Sequence, residues 1–211
     1  MKKQTLFWDV DTQFDFMMPQ GKLYVPGAEA IVGAVSDTRR LALDNGFSIL
    51  ADVDWHSTAD PEISDAPDFK ETFPAHCIAG SPGAERVGYL GALPVDYLGT
   101  EKIPADRLQK LVDKDQFHIV VRKTQLNVFG NPNTAELLKL IRPQRVVVFG
   151  VALDFCVYWV IKGLATFPDV KPYVLSDVVR GLGSRPDEQI YAEFRQMGVE
   201  ITTLSKIREI L

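Results

Sequence analysis

The chain has 211 residues, 46% of them hydrophobic and 24% charged, with a formal net charge of −5. That length suits one domain with a substantial core, and the composition is that of a globular chain, not a disordered or fibrous one. The acidic balance, with no run of Lys and Arg, argues against nucleic acid or an anionic membrane as partner, since either calls for a basic face. Two cysteines do not make a disulfide framework. Lys2 and Lys3 precede an apolar stretch, but Asp9 and Asp11 cut it too short for a signal peptide. The most apolar region, 146–161, holds Gly150 and Asp154 and falls short of a membrane span. A reduced, cytoplasmic compartment is expected.

In chain order, short apolar runs alternate with amphipathic stretches. A strand at 5–10 is followed by a helix at 28–45, which Asn45-Gly46 stops. A second strand at 47–53 leads into 54–104, rich in Pro, Gly, Ala and acids and without sustained periodicity. A loop of that length inside a domain is usually functional. Beyond it come a helix at 105–114 and a strand at 117–121, in which His118 reads as structural or exposed. Asn133 and Glu136 resemble a capping box opening a helix at 134–141. A buried strand at 145–151 runs into a helix at 154–165, where Tyr158 and Trp159 read as core or subunit-interface residues. Strands at 171–175 and 200–203 flank a last helix at 186–197, and Asp177 and Arg180 read as caps of the sheet edge. The alternation predicts one doubly wound α/β domain over 1–211, its mostly parallel sheet covered by helices on both faces.

Ligands of open α/β sheets bind at the carboxyl ends of the strands. Asp11 follows the first predicted strand, Asp54 and His56 the second, Lys123 the third and Cys156 the fourth, so these five reactive side chains share one edge. Cys156 also opens a helix, whose free N–H groups and dipole favour a thiolate and can hold an oxyanion. A carboxylate at Asp11 can accept the thiol proton, and a lysine nearby keeps that carboxylate charged. Cys77 lacks such neighbours in sequence and is expected to pack beneath the 54–104 loop.

Several segments carry a resemblance. Val10-Asp11-Thr12-Gln13-Phe14-Asp15-Phe16 resembles the opening motif of the isochorismatase-like cysteine hydrolases. Asp54-Trp55-His56, Phe73-Pro74-Ala75-His76-Cys77 and Gly80-Ser81-Pro82-Gly83-Ala84-Glu85 are similar to the nicotinamidase branch of that family. Val121-Arg122-Lys123 and Gly150-Val151-Ala152-Leu153-Asp154-Phe155-Cys156-Val157 complete the order, over residues 6–179. The resemblance implies Asp11 as general base, Lys123 as its charged partner and Cys156 as nucleophile. It implies a cis Val151-Ala152 peptide, an oxyanion hole from the N–H groups of Ala152 and Cys156, and Phe16 and Phe73 around a flat ring. Trp is usual where this chain has Phe73.

Nicotinamidases hold a divalent metal through one Asp and typically three His. Asp54, His56 and His76 match three of those positions, and the fourth is Glu62. A carboxylate there is compatible with Zn, Fe or Mn; the competing reading places Glu62 in a solvated acidic loop with Asp60, Asp65 and Asp68. The implied function is hydrolysis of a small aromatic carboxamide, nicotinamide to nicotinate and ammonia, through a cysteine thioester. The partner implied is a small-molecule substrate, and a homo-oligomer is expected. Alternatives are another small-amide or ureide amidase, an isochorismatase-type hydrolase, a non-catalytic binding domain, or an aspartyl phosphatase suggested by Asp9-Val10-Asp11-Thr12.

Overall fold

The first strand shows how the sheet is enclosed. All six residues of β1 (Thr5–Val10) are buried, and they divide by parity. Leu6, Trp8 and Val10 join one apolar cluster while Phe7 joins another, as in a parallel strand covered on both faces. The computed structural model describes residues 5–211; Lys2 and Lys3, weighed above against a signal peptide, lie outside them. No helix among the described residues is long and apolar enough to cross a membrane.

The other strands are β2 (Ser48–Asp54), β3 (Val95–Leu98), β4 (His118–Lys123), β5 (Arg145–Val151), β6 (Lys171–Arg180) and β7 (Glu200–Thr202). They form one sheet in the order β3-β4-β2-β1-β5-β6-β7, and every neighbouring pair is parallel. Helices α3 (Ala105–Val112), α4 (Thr134–Ile141), α5 (Cys156–Leu164) and α6 (Asp187–Gln196) cover one face through Leu108, Leu137, Val160 and Phe194. On the other face α2 (Val32–Asp44) and α7 (Leu204–Ile210) pack through Val35, Ala42 and Ile207. A one-turn helix, α1 (Phe14–Met17), follows β1. The winding reverses between β1 and β5, and a crevice at the carboxyl ends of those strands is where such sheets bind ligands.

Strands 5–10 and 145–151 and helix 134–141 have the bounds read from the sequence. The stretch 54–104 differs: it contains the edge strand β3, whose four residues include one buried side chain, too few to register as alternation. The sixth strand continues past Leu175 to Arg180 across a register shift opposite Val148 and Gly150. Asp177 therefore lies inside a strand, and its carboxylate accepts the Leu204 N–H at 2.9 Å at the start of α7. The capping box does not form. Asn133 is helical in backbone and caps nothing; its side chain accepts from Ile103 N at 2.8 Å and donates to Glu101 O at 2.9 Å. Tying down the chain that follows β3 takes the place of the local bond. The Asn45-Gly46 stop is as read, with Gly46 at φ 74 donating to Leu43 O.

Beneath the sheet's carboxyl edge lies a buried ionic cluster. Asp9 accepts from Arg39 Nε at 2.7 Å, from Arg86 Nη2, and from the Thr12 hydroxyl at 2.8 Å. Burial alone would raise the Asp9 carboxyl, but Arg39 and Arg86 hold it well below the usual carboxylate range. His118 is buried and sits 2.8 Å from Arg86 Nη1; burial and that guanidinium push its ring down to about 3, so it is a neutral, structural histidine.

Removing Asp9 would leave two buried guanidinium groups without their anion. Asp9→Asn is expected to lower the unfolding free energy at neutral pH by ~3–5 kcal/mol, measured by urea titration. Because the folded carboxyl is depressed, its contribution is present above the ordinary value of 3.8 and fades as pH falls below it. The gap between Asp9→Asn and wild type should narrow over that acid range.

Candidate active site

Four strand ends deliver the site. Asp54 and Lys123 are the last residues of β2 and β4 and stand in register as neighbours. Asp11 leaves β1 in a left-handed conformation, φ 45, while its N–H still bonds Asp52 O at 3.1 Å. Cys156 is the first residue of α5, reached from β5 through a tight turn. Within that turn Leu153, Phe155 and Val157 donate to Arg180 O, Ala152 O and Ala152 O, and the Val151-Ala152 peptide is cis. The turn's own bonds thus use neither the Ala152 nor the Cys156 N–H. Gly150 cannot carry a side chain, since a Cβ there would lie 2.0 Å from Val10 O.

Lys123 Nζ lies 2.9 Å from Asp11 Oδ2, 3.6 Å from Cys156 Sγ, and in direct contact with Asp54 Oδ1. All four residues are buried. Burial disfavours the charged ammonium, yet Asp11 and Asp54 hold Lys123 well above its ordinary value, so it is a fixed cation. Burial would raise Asp54 too, but Lys123, then His56 and His76, hold it well below the usual range. Asp11 goes the other way: burial pushes its carboxyl well up against the pull of Lys123. Two carboxylates pushed apart in this manner divide into a permanent anion and a group that exchanges protons. Burial, with Asp11 adding to it, also raises the Cys156 thiol, and Lys123 does not offset them. The resting sulfur is therefore a thiol and not the ready-made thiolate that a helix N-terminus suggests.

Asp54, His56, Glu62 and His76 are all buried, each offering one ligand atom within 4.8 Å of the others. His76 Nε2 is 3.3 Å and His56 Nε2 3.6 Å from Asp54 Oδ2, and Glu62 Oε1 is 3.9 Å from His56 Nε2. Glu62 is thus turned inward, unlike the exposed Asp65 and Asp68. His56 Nε2 and Glu62 Oε1 are buried without any hydrogen-bond partner, an arrangement that costs free energy unless a ligand fills it. The outer nitrogens are held by the protein: His56 Nδ1 lies 3.3 Å from Asp60 and His76 Nδ1 2.7 Å from Pro74 O. Such contacts orient metal-binding imidazoles. Burial and the nearby Asp54 charge raise the Glu62 carboxyl. Three carboxylates, Asp11, Asp54 and Glu62, face one ammonium, and a divalent cation suits that negative excess.

Between these groups lies a small enclosure walled by Phe16, Phe73, Phe155 and Leu182. Phe73 meets Phe155 edge-on at 5.6 Å, and Phe16 lies 5.3 Å from the His76 ring. Leu23, Leu126 and Leu182 went unread in the sequence, because an apolar residue on a loop carries no signal of what it faces. Gln13 and Asp15 were visible only as motif letters. The Gln13 amide accepts from Asp54 N at 2.8 Å and donates to Asp54 O at 2.7 Å and Ala84 O at 3.0 Å. Asp15 accepts from Cys77 N at 2.7 Å and Lys22 N at 3.0 Å, joining two walls of the enclosure. Cys77 itself is core, its thiol raised by burial.

Fold and site together define a doubly wound α/β protein with a buried Cys-Asp-Lys set beside a group able to bind a metal. The chain belongs to the isochorismatase family, whose domain model matches residues 98–206. It is 28% identical over 215 residues to a nicotinamidase/pyrazinamidase of Mycobacterium tuberculosis, covering 93% of this chain and 97% of that one. A nicotinamidase of Saccharomyces cerevisiae is 25% identical over 206 residues, covering 84% and 88%. Among solved structures, the pyrazinamidase of Pyrococcus horikoshii in complex with zinc superposes with a TM-score of 0.73 at 25% identity, covering 95% of this chain and 99% of its own.

Gln13→Leu would leave the buried N–H and C=O of Asp54 without partners. An unfolding free energy lower by ~2–4 kcal/mol is expected, and comparison of urea midpoints and slopes with wild type checks it.

Proposed function

We propose that this chain hydrolyses a small aromatic carboxamide, nicotinamide, to nicotinate and ammonia, acting over its full length as one catalytic domain in the cytoplasm. The observation that carries the reading is the position of Lys123 Nζ, in ion pairs with Asp11 and Asp54 and 3.6 Å from Cys156 Sγ, at the switch point of the sheet. The nicotinamidases it resembles supply the substrate.

Asp11 takes the Cys156 proton as the sulfur attacks the amide carbon. The fixed charge of Lys123 stabilises the thiolate as it forms, more strongly in this buried site than it would in bulk water. The carbonyl oxygen, now an oxyanion, is held by the N–H groups of Ala152 and Cys156. Protonated Asp11 gives its proton to the departing nitrogen, the C–N bond breaks, and ammonia leaves a thioester on Cys156. Water then loses a proton to Asp11 and adds to the thioester carbon. Collapse breaks the C–S bond, frees the carboxylic acid and returns the proton to sulfur. Phe16 and Phe73 hold the ring flat throughout. Asp54, His56, Glu62 and His76 would hold a divalent ion, Zn, Fe or Mn, whose chemistry there is Lewis-acid binding of the ring nitrogen.

The phosphatase alternative needs Asp9 and Asp11 as a working pair. Asp9 is instead consumed by Arg39, Arg86 and Thr12, which removes the second carboxylate that chemistry requires.

Ammonia release from nicotinamide tests the proposal. Cys156→Ala and Asp11→Asn should each lower kcat by at least about 1,000-fold, whereas Cys77→Ala should retain most activity if it folds. An active Cys156→Ala enzyme would sink the assignment. For the metal, Glu62→Ala should reduce the bound divalent ion per chain by elemental analysis and raise KM, and Glu62→His should restore both. Equal occupancy and equal kinetics in Glu62→Ala would make Glu62 a bystander.

A further inference from the structure

The enclosure over Cys156 does not end at its aromatic wall. Leu23, Phe73, Phe155 and Leu182 also line a second, open hollow on their outer side, whose further lining includes Tyr24, Phe69 and Pro74 together with the polar Lys22 and Ser184. Two concavities that share four side chains are separated by the thickness of those side chains alone. A group on the edge of a ring bound inside has only those side chains to pass between to reach the outer hollow.

Phe69 gives that hollow its character. Its side chain is 57% exposed, the most exposed of the large hydrophobic residues among those described. It stands in a left-handed conformation, φ 55, uncommon for a bulky residue. The loop holds it there firmly: Asp68 Oδ1 accepts the N–H groups of Lys70, Glu71 and Thr72, each at 2.9 Å, and Phe69 N donates to Thr72 O at 3.0 Å. The ring meets Phe73 edge-on at 6.4 Å, so one aromatic surface runs from the inner wall to the rim. More than half of Phe69 stays in water beyond that contact, and exposed apolar surface next to a pocket marks a contact for a ligand.

We infer that the outer hollow is a second subsite, taking a short apolar substituent on the ring of a carboxamide whose amide sits at Cys156, with Phe69 as the specificity-determining contact. This rests on the amidase reading above and extends its substrate class from the bare ring to alkyl-substituted rings. The occupant is a substituent of the substrate and not a separate ligand, because the hollow borders the enclosure directly, with four lining side chains in common.

Ammonia-release kinetics on nicotinamide and on nicotinamides bearing a propyl group at each free ring carbon in turn would test it, using wild type, Phe69→Ala and Phe69→Leu. Wild type should turn over at least one propyl isomer with kcat/KM within about tenfold of nicotinamide's. Phe69→Ala should lower kcat/KM for that isomer about tenfold, chiefly through KM, and change nicotinamide by less than about twofold. Phe69→Leu, which keeps apolar bulk, should retain most of the isomer's rate. The inference is overturned if wild type hydrolyses nicotinamide but no propyl isomer, or if Phe69→Ala slows both substrates alike. Failure to hydrolyse nicotinamide itself is a different result, since it overturns the amidase reading beneath.

Discussion

A fully buried ammonium group must be surrounded by anions or lose its proton, because the desolvation of an unpaired charge costs several kcal/mol. Lys123 meets that demand with Asp11 and Asp54. Asp11 directly follows β1 and Asp54 ends β2, strands next to each other in the sheet, while Lys123 ends β4 on the far side of β2. Satisfying the one charge therefore requires three strand ends to finish at the same height, and the parallel register of β2 with β4 provides it. Cys156 arrives from β5, on the other side of β1, so the charged site spans the point where the winding reverses. The fold positions the chemistry because the same buried cation depends on both.

The cation also sorts the carboxylates into roles. Asp54 has Lys123 on one oxygen and two imidazoles near the other, and it stays ionised. Asp11 shares Lys123 but has no imidazole, so burial prevails and raises it. The residue that remains charged belongs to the group able to hold a metal, and the residue raised by burial faces the sulfur. A single lysine thus lies between a group able to hold a cation and the pair of Asp11 and Cys156. The sulfur, raised by burial, relies on that neighbour more than a surface thiol at a helix start would.

What the sequence disclosed tracks how the signal arises. β1 and β5 were legible to the residue because strands buried on both faces read as unbroken apolar runs. β3 and α7 were not, since β3 has one buried side chain in four and α7 one in seven. The residues at the strand ends were identifiable from their positions alone, and the resemblance added Glu62 and His76 by spacing. Gln13 and Asp15 reach backbone groups 41 and 62 residues away, and no local pattern encodes such bonds. The state of Cys156 depends on structure at two scales. Its place at the start of α5 is a local fact and favours thiolate, whereas its depth below the surface is a property of the whole fold and outweighs it.

Gln13 shows how the chain reconciles an ordered sheet with the departure of Asp11 from it. Strand β1 pairs with β2 up to Val10 opposite Asp52, and Asp11 makes one more bond before turning away at φ 45. Had β1 continued, its next peptide would have bonded Asp54; instead the backbone leaves the ladder and Asp54 would be left with open polar groups. The Gln13 side chain supplies the missing amide, accepting from Asp54 N and donating to Asp54 O as a peptide in the ladder would. Aspartate tolerates the left-handed turn better than most residues, and glutamine is the side chain that both presents an amide and reaches that far. The departure that aims Asp11 at Lys123 and Cys156 is thus matched two residues later by a side chain that keeps Asp54 fixed.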